Sequence, residues 1–219
     1  VREIAGRGGT PVMSGGTAFY MRNFVYGLPA APPADRALRQ VLAREAGEQG
    51  LAALYRELVA ADPVYGATIG QRDRSRILRA LEVVRATGRP LSSYRVPDVP
   101  RADYRCLLVG LDRPREELHA RIEGRVDAMF QAGLPREVQA LRALGYGPDD
   151  PGMKAIGYRE FFECEGDLGL TRELIKRHTR QYARRQILFF RSLPNVVWVA
   201  ADDTARLGEL FSAFLEAAP

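Results

Sequence analysis

Apolar residues recur at helical spacing through most of the chain, most clearly over residues 174–191. That stretch holds no Gly or Pro, so a helix can run through it uninterrupted. Ile175, Tyr182 and Phe189 recur every seven residues and define one apolar stripe, extended by Leu193. Arg177, Arg180, Arg184 and Arg191 fall on another face. Helical spacing returns at Leu51, Leu54 and Leu58 and at Ile77, Leu81 and Val84. Helices are therefore predicted over 35–44, 51–60 and 74–86, broken at 47–50 and at Asp62-Pro63, with no strand between 35 and 92.

Short apolar runs bounded by turn residues read differently. Pro11-Val12-Met13, residues 104–111 around Cys106-Leu107-Leu108-Val109, and Val196-Val197-Trp198-Val199 are predicted strands. The first is followed by Ser14-Gly15-Gly16-Thr17 and a helical stretch over 18–26. Strand, glycine-rich turn and helix in that order form an α/β unit. Further helices are expected over 113–132, 134–144 and 204–217, with another opening at 154–159. Trp198, among β-branched neighbours, is assigned to the core. The pattern predicts an α/β core of at least three strands, residues 1–33 and 101–219, cut by an all-helical insertion over 34–100. The Pro- and Ala-rich segment 27–33 and Pro97 and Pro100 mark its edges.

The chain has 219 residues and a net charge of +5, which favours anionic partners without bearing on the fold. The charge is unevenly placed: six cations and no carboxylate lie between Glu173 and Asp202. Ordinary exposed helices interleave Glu with Lys or Arg, so this face suits a phosphate backbone better than water alone, although a solvated basic face fits the same pattern. Cys106 and Cys164 are isolated and His119 and His178 are few, which indicates a reducing compartment and no His-based metal site. No apolar run reaches the 18 or so residues of a membrane span. A cytoplasmic protein is expected, and no membrane partner. Val1 opens the chain in what reads as the tail of a helix, so a truncated sequence is expected.

Several residues carry candidate chemistry. Amides freed by Gly15 and Gly16 at a helix start can hold an anion, with Thr17 adding a hydroxyl; a tight turn without a ligand is the competing reading. Arg121 and Arg125, one turn apart, can grip a diphosphate, against which stands pairing of Arg121 with Glu117. Arg72, Arg76 and Arg79 share a helix face that Asp73 and Glu82 can partly neutralise, so a plain salt-bridged helix fits as well.

Taken together, these stretches resemble the tRNA dimethylallyltransferase family. The resemblance spans nearly the whole chain and rests on six blocks in order. They are Ser14-Gly15-Gly16-Thr17-Ala18-Phe19-Tyr20; Asp62-Pro63 with Ala67; Arg76-Ile77-Leu78-Arg79-Ala80-Leu81-Glu82-Val83 with Thr87-Gly88; Arg121-Ile122-Glu123-Gly124-Arg125-Val126 with Met129, Gly133 and Glu137-Val138; Ala155-Ile156-Gly157-Tyr158-Arg159-Glu160; and Thr179-Arg180-Gln181-Tyr182-Ala183-Arg184-Arg185-Gln186. It implies a P-loop-kinase-like core adapted to prenyl transfer. The implied reaction moves a dimethylallyl group from dimethylallyl diphosphate to N6 of the adenosine 3′ to the anticodon in tRNA, with Mg²⁺. The adenosine is reached by extrusion from its loop.

Carried over by position, the resemblance implies catalytic roles for Thr17, lining the channel, and Arg125, holding the diphosphate, with Gly15, Gly16 and Arg121 completing that site. Contacts with the tRNA anticodon stem-loop are implied for Arg39, Ser75, Arg76, Arg79, Lys154, Gly157, Tyr158, Arg159, Arg184, Arg185, Gln186 and Arg191. A monomer is expected, and no metal ligand is assigned. The chain departs from the family at Gly70-Gln71-Arg72-Asp73, at Ala18 and Phe19, and in lacking any Gly-x-x-x-x-Gly-Lys-Ser/Thr loop. That loop and the family's catalytic Asp would precede Val1, so the 219-residue chain alone is expected to be inactive. An adenylate dimethylallyltransferase and a non-catalytic RNA-binding protein are the alternatives, the helical insertion arguing against the former.

Overall fold

The computed structural model describes residues 1–94 and 96–217. In chain order the elements are α1 (Arg2–Gly6), α2 (Ala18–Tyr26), α3 (Arg36–Glu48), α4 (Leu51–Ala61), α5 (Pro63–Gly66), α6 (Arg74–Thr87), β1 (Leu108–Asp112), α7 (Arg115–Gln131), α8 (Leu134–Ala143), α9 (Glu160–Glu163), α10 (Leu168–Arg191), β2 (Val196–Ala200) and α11 (Thr204–Glu216). The chain divides into two compact units, one of Phe19–Tyr104 and one of Val1–Ala18 with the chain from Arg105 onward.

The first unit is helical. Asp35, Asp62 and Asp73 start α3, α5 and α6 by accepting hydrogen bonds from amides of the first turn, the usual way to satisfy donors that a helix start leaves free. Gly88, at φ +69°, ends α6 in the left-handed conformation that glycine adopts without strain. Leu42, Leu54, Leu58, Ile77 and Leu81, the periodic apolar positions, form its core. Buried Asp62 also accepts from the Ser92 amide at 2.8 Å, tying the chain beyond α6 to α5. The unit is wider than the predicted 34–100. Arg101 N–H donates to the Val25 carbonyl, Arg22 donates to the Pro97 carbonyl, and the Phe24 and Tyr104 rings stack, so α2 and the returning segment belong to it.

The second unit is α/β. Strands β1 and β2 pair in parallel, with Leu108 opposite Val196 and Asp112 opposite Ala200. Parallel strands need a crossover, here supplied by α7 to α10. Val126, Leu134, Val138, Phe161 and Ile175 form the core under that crossover, with the Phe130 and Phe161 rings stacked upon each other. Gly110 faces Trp198 so closely that a β-carbon there would lie 2.8 Å from the indole.

Four expectations are corrected. Residues 11–13 form no strand, and Val12 is 80% exposed. An apolar run of three is too short to bury itself without a pairing partner, and two strands, not three, occur among the described residues. β1 starts at Leu108, four residues later than predicted, leaving Cys106 exposed. Residues 154–159 open no helix, because Gly157 sits at φ +105° and the chain turns there. Tyr182 is exposed although Ile175 on the same stripe is buried.

Candidate functional site

Helix α10 starts on Asp167, whose carboxylate accepts from the Leu170 amide, and runs without interruption to Arg191. Its charges change character along its length. Near the start, Lys176 is held by Asp127 at 3.0 Å and by Glu173 at 3.2 Å. Further on, the arginines turn into a cavity of about 850 Å³ beside the carboxyl ends of β1 and β2. Arg113, Arg115, His119, Arg177, Arg180, Arg184 and Arg191 line it together with Trp198, and Asp112 is its single acid among the described residues. Arg180 pairs with Glu123 at 2.8 Å, Arg113 with Glu117, and Arg191 with Asp112 at 3.6 Å while lying over the Trp198 ring. Arg115, Arg177 and Arg184 have no ion-pair partner among the described residues. Converging, unneutralised guanidiniums on a concave wall concentrate positive potential where an anion can reach it.

The glycine-rich turn rests on the same helix. Gln186 Nε2 donates to the Gly16 carbonyl at 2.7 Å, and a β-carbon on Gly16 would collide with the Gln186 amide. Gly15 and Thr17 are exposed. None of Gly15, Gly16, Thr17, Arg121 and Arg125 lines the arginine cavity. On α7 the Glu117 alternative is realised, for Arg121 Nε donates to Glu117 at 2.9 Å. Arg125 is exposed and has no ion-pair partner among the described residues.

In the helical unit the cations are more restrained. Glu82 is 1% exposed and takes the Asp35 amide at 2.6 Å, Arg39 at 2.9 Å and Arg79 at 3.1 Å. Burial pushes its carboxyl up, but the donated bonds outweigh burial and hold its pKa below the ordinary value. Arg76 lies 3.4 Å from Asp73, and Ser75 and Arg76 are exposed.

The segment before α9 carries Lys154, exposed and without an ion-pair partner among the described residues, then buried Gly157 and half-buried Tyr158 and Arg159. Tyr158 donates to Glu137 at 2.6 Å, and that bond raises the phenol's pKa. Arg159 Nε donates to Glu160 at 3.0 Å. Arg185 lies over the Tyr182 ring. Glu160 and His178, 2.7 Å apart, were not picked out from the sequence. The available signal was a lone His at the inward spacing of Thr171 and Ile175 on a helix otherwise rich in exposed cations.

Among the described residues no group of three or more His, Cys, Asp or Glu could hold a metal ion. The side chains present thus offer no cage for the expected Mg²⁺. No described helix is long and apolar enough to cross a membrane.

A parallel α/β unit with an arginine-walled cavity beside its strand ends belongs to the class of α/β architectures whose ligand crevices lie at the carboxyl ends of the strands, and its charge suits an anion. Comparisons narrow the class. The sequence model of the IPP transferase family matches residues 1–193, and the chain belongs to that family. A tRNA dimethylallyltransferase of Geobacter sulfurreducens is 41% identical over 206 residues, 91% of this chain and 65% of the relative. One from Syntrophobacter fumaroxidans is 42% identical over 204 residues, 90% of this chain and 59% of the relative. The chain thus spans less than two thirds of the length of these relatives. The solved tRNA isopentenylpyrophosphate transferase of Bacillus halodurans superposes with a TM-score of 0.60 at 29% identity, over 98% of this chain and 68% of that one. A eukaryotic dimethylallyltransferase acting on tRNA shares the fold, with a TM-score of 0.71 at 23% identity over 99% of this chain and 57% of that one.

Proposed function

We propose that this chain serves the transfer of a dimethylallyl group from dimethylallyl diphosphate to N6 of the adenosine 3′ to the anticodon in tRNA. The observation that carries this reading is 41% identity over 91% of the chain to a curated tRNA dimethylallyltransferase. Arg177 and Arg184 on α10, without an ion-pair partner among the described residues, support it. Thr17 and Arg125 act at the reacting centre. N6 attacks the allylic carbon, the carbon–oxygen bond to diphosphate breaks, and the N6 proton is lost. Arg125, with Arg121 and the Gly15 and Gly16 amides, stabilises the charge that gathers on the departing diphosphate. Mg²⁺ carried in on the diphosphate itself would supply further neutralisation of the same charge. The RNA is gripped by Arg39, Ser75, Arg76 and Arg79, by Lys154, Gly157, Tyr158 and Arg159, and by Arg184, Arg185, Gln186 and Arg191. These contacts fix the register in which the extruded base meets the allylic carbon, and positioning of that kind is a major source of rate. The protein acts as a monomer in the cytoplasm.

The test supplies labelled dimethylallyl diphosphate and Mg²⁺ to the gene's complete reading frame, with an anticodon stem-loop and AMP offered side by side. Product on the stem-loop alone is expected. Product on AMP would point to an adenylate dimethylallyltransferase, and tight RNA binding without product to a non-catalytic RNA-binding protein; either overturns the proposal. The 219-residue chain alone has no Gly-Lys phosphate loop and is expected to bind RNA without turnover.

A further inference from the structure

A buried carboxylate lies under the segment that carries Lys154, Tyr158 and Arg159. Glu160 is 0% exposed, and three donors converge on it from two parts of the unit. The Gly157 amide donates to Oε2 at 2.8 Å, Arg159 Nε to Oε1 at 3.0 Å, and His178 Nδ1 lies 2.7 Å from Oε1. Gly157 and Arg159 belong to the turn, whereas His178 belongs to α10. His178 shares the inward face of α10 with Thr171 and Ile175, both buried, so a polar ring stands where periodicity calls for an apolar side chain. Burying an ion pair is a poor way to gain stability, since apolar side chains of similar volume often do as well or better. What the pair adds is a defined geometry. The turn is fixed at Gly157 twice, by a φ of +105° and by the bond from its amide to Glu160.

We propose that Glu160, acting through His178, is a positioning residue that locks the Gly157–Arg159 turn to α10. Lys154, Tyr158 and Arg159 are thereby held in register with Arg184 and Arg191, and both sets meet one RNA backbone together. The inference rests on the proposed RNA-binding role of those segments.

The test measures binding of a labelled anticodon stem-loop by the full 219-residue chain across a salt series, with amide exchange followed in parallel. Glu160→Gln keeps the shape and an acceptor for Gly157 but loses the charge. It is expected to weaken RNA binding about tenfold, the scale of one charge-assisted hydrogen bond, and to make the salt dependence shallower by about one phosphate contact. Amides of Gly157, Tyr158 and Arg159 are expected to exchange about tenfold faster, with α3 amides unchanged. His178→Leu should behave like Glu160→Gln, and it keeps the inference testable if the latter fails to fold. His178→Gln, which can still donate to Glu160, should restore near-normal binding. Rescue by Gln but not Leu is an outcome that a merely space-filling histidine would not give. Unchanged affinity, salt slope and turn exchange in Glu160→Gln and His178→Leu would overturn the inference. Failure of the unsubstituted chain to bind the stem-loop would overturn the RNA-binding reading instead, and exchange at the turn would then decide the positioning role alone.

Discussion

Two arginine-rich faces in this chain look alike in sequence and differ in charge. On α6 and α3, Arg79 and Arg39 converge on Glu82, which is buried and ionised, so much of their charge is spent inside the helical unit. On α10, Arg177 and Arg184 line a cavity without an ion-pair partner among the described residues, Asp112 there pairing with Arg191, and neighbouring Arg180 pairs with partly exposed Glu123. The difference follows from where the carboxylates stand. A Glu three residues after an Arg on one helix neutralises it locally, whereas residues 174–201 contain no acid at all. An arginine face is thus read by its nearest acids more than by its own count.

The largest effect expected is on stability. Glu82→Ala leaves two guanidiniums and the Asp35 amide without their acceptor and should cost about 3 kcal/mol or more, seen as a lowered urea midpoint. A loss below about 1 kcal/mol would break the contrast by making Glu82 an ordinary surface partner. On α10 the expected loss is in binding. Arg177→Ala with Arg184→Ala should leave stability within about 0.5 kcal/mol, while stem-loop affinity falls at least tenfold and the salt dependence loses about two phosphate contacts. Arg39→Ala should lower RNA affinity less than either of these substitutions singly. The reverse ranking would move the RNA grip to the helical unit.

The comparison can be sharpened with acid. The Glu82 and Glu160 carboxyls both sit below the ordinary Glu value of about 4.3, burial opposing the shift and donated hydrogen bonds producing it. The stability they add is complete above that value and drains away as pH falls through their lowered folded-state values. Thermal melts from pH 5 down to pH 2 should therefore fall steeply, and less steeply in Glu82→Gln and Glu160→Gln. Equal slopes in all three proteins would remove these carboxyls from the account. The smallest effect belongs to Glu123→Ala, expected to change stability by less than about 1 kcal/mol and to strengthen stem-loop binding slightly by freeing Arg180.

Much of the helical unit was legible because its signals are local. Leucines at helical spacing announce the core, whereas Asp62-Pro63, read as a break, starts α5, and Asp73, read as a neutraliser, caps α6. Gly47 misled, since it lies inside α3, one glycine in a helix costing only about 1 kcal/mol. The start of α10 at Leu168 was hidden in the same way by Gly169 in its first turn. The Glu117–Arg121 alternative was visible at spacing four. Glu82 was visible as a neutraliser of α6, but its grip on Arg39 was not, because that contact spans 43 residues. Glu160 and His178 were missed for a related reason: His178 is an oddity on the inward face of α10, but its meaning lies in the pairing with Glu160, which spans 18 residues.

The parallel sheet has one consequence in time. β1 cannot pair with β2 until the whole crossover from α7 to α10 between them has been made. On a ribosome adding about 5–20 residues per second, the helical unit can close its core from contacts already synthesised. The sheet must wait several seconds longer for the chain to reach Ala200. α10 emerges only at the end of that interval, just ahead of β2, and its cationic face is then bare amid a high concentration of ribosomal and transfer RNA. Its tolerance of that exposure depends on how soon β2 docks, so a slow codon placed just before Val196 should be felt more than one placed anywhere in the helical unit.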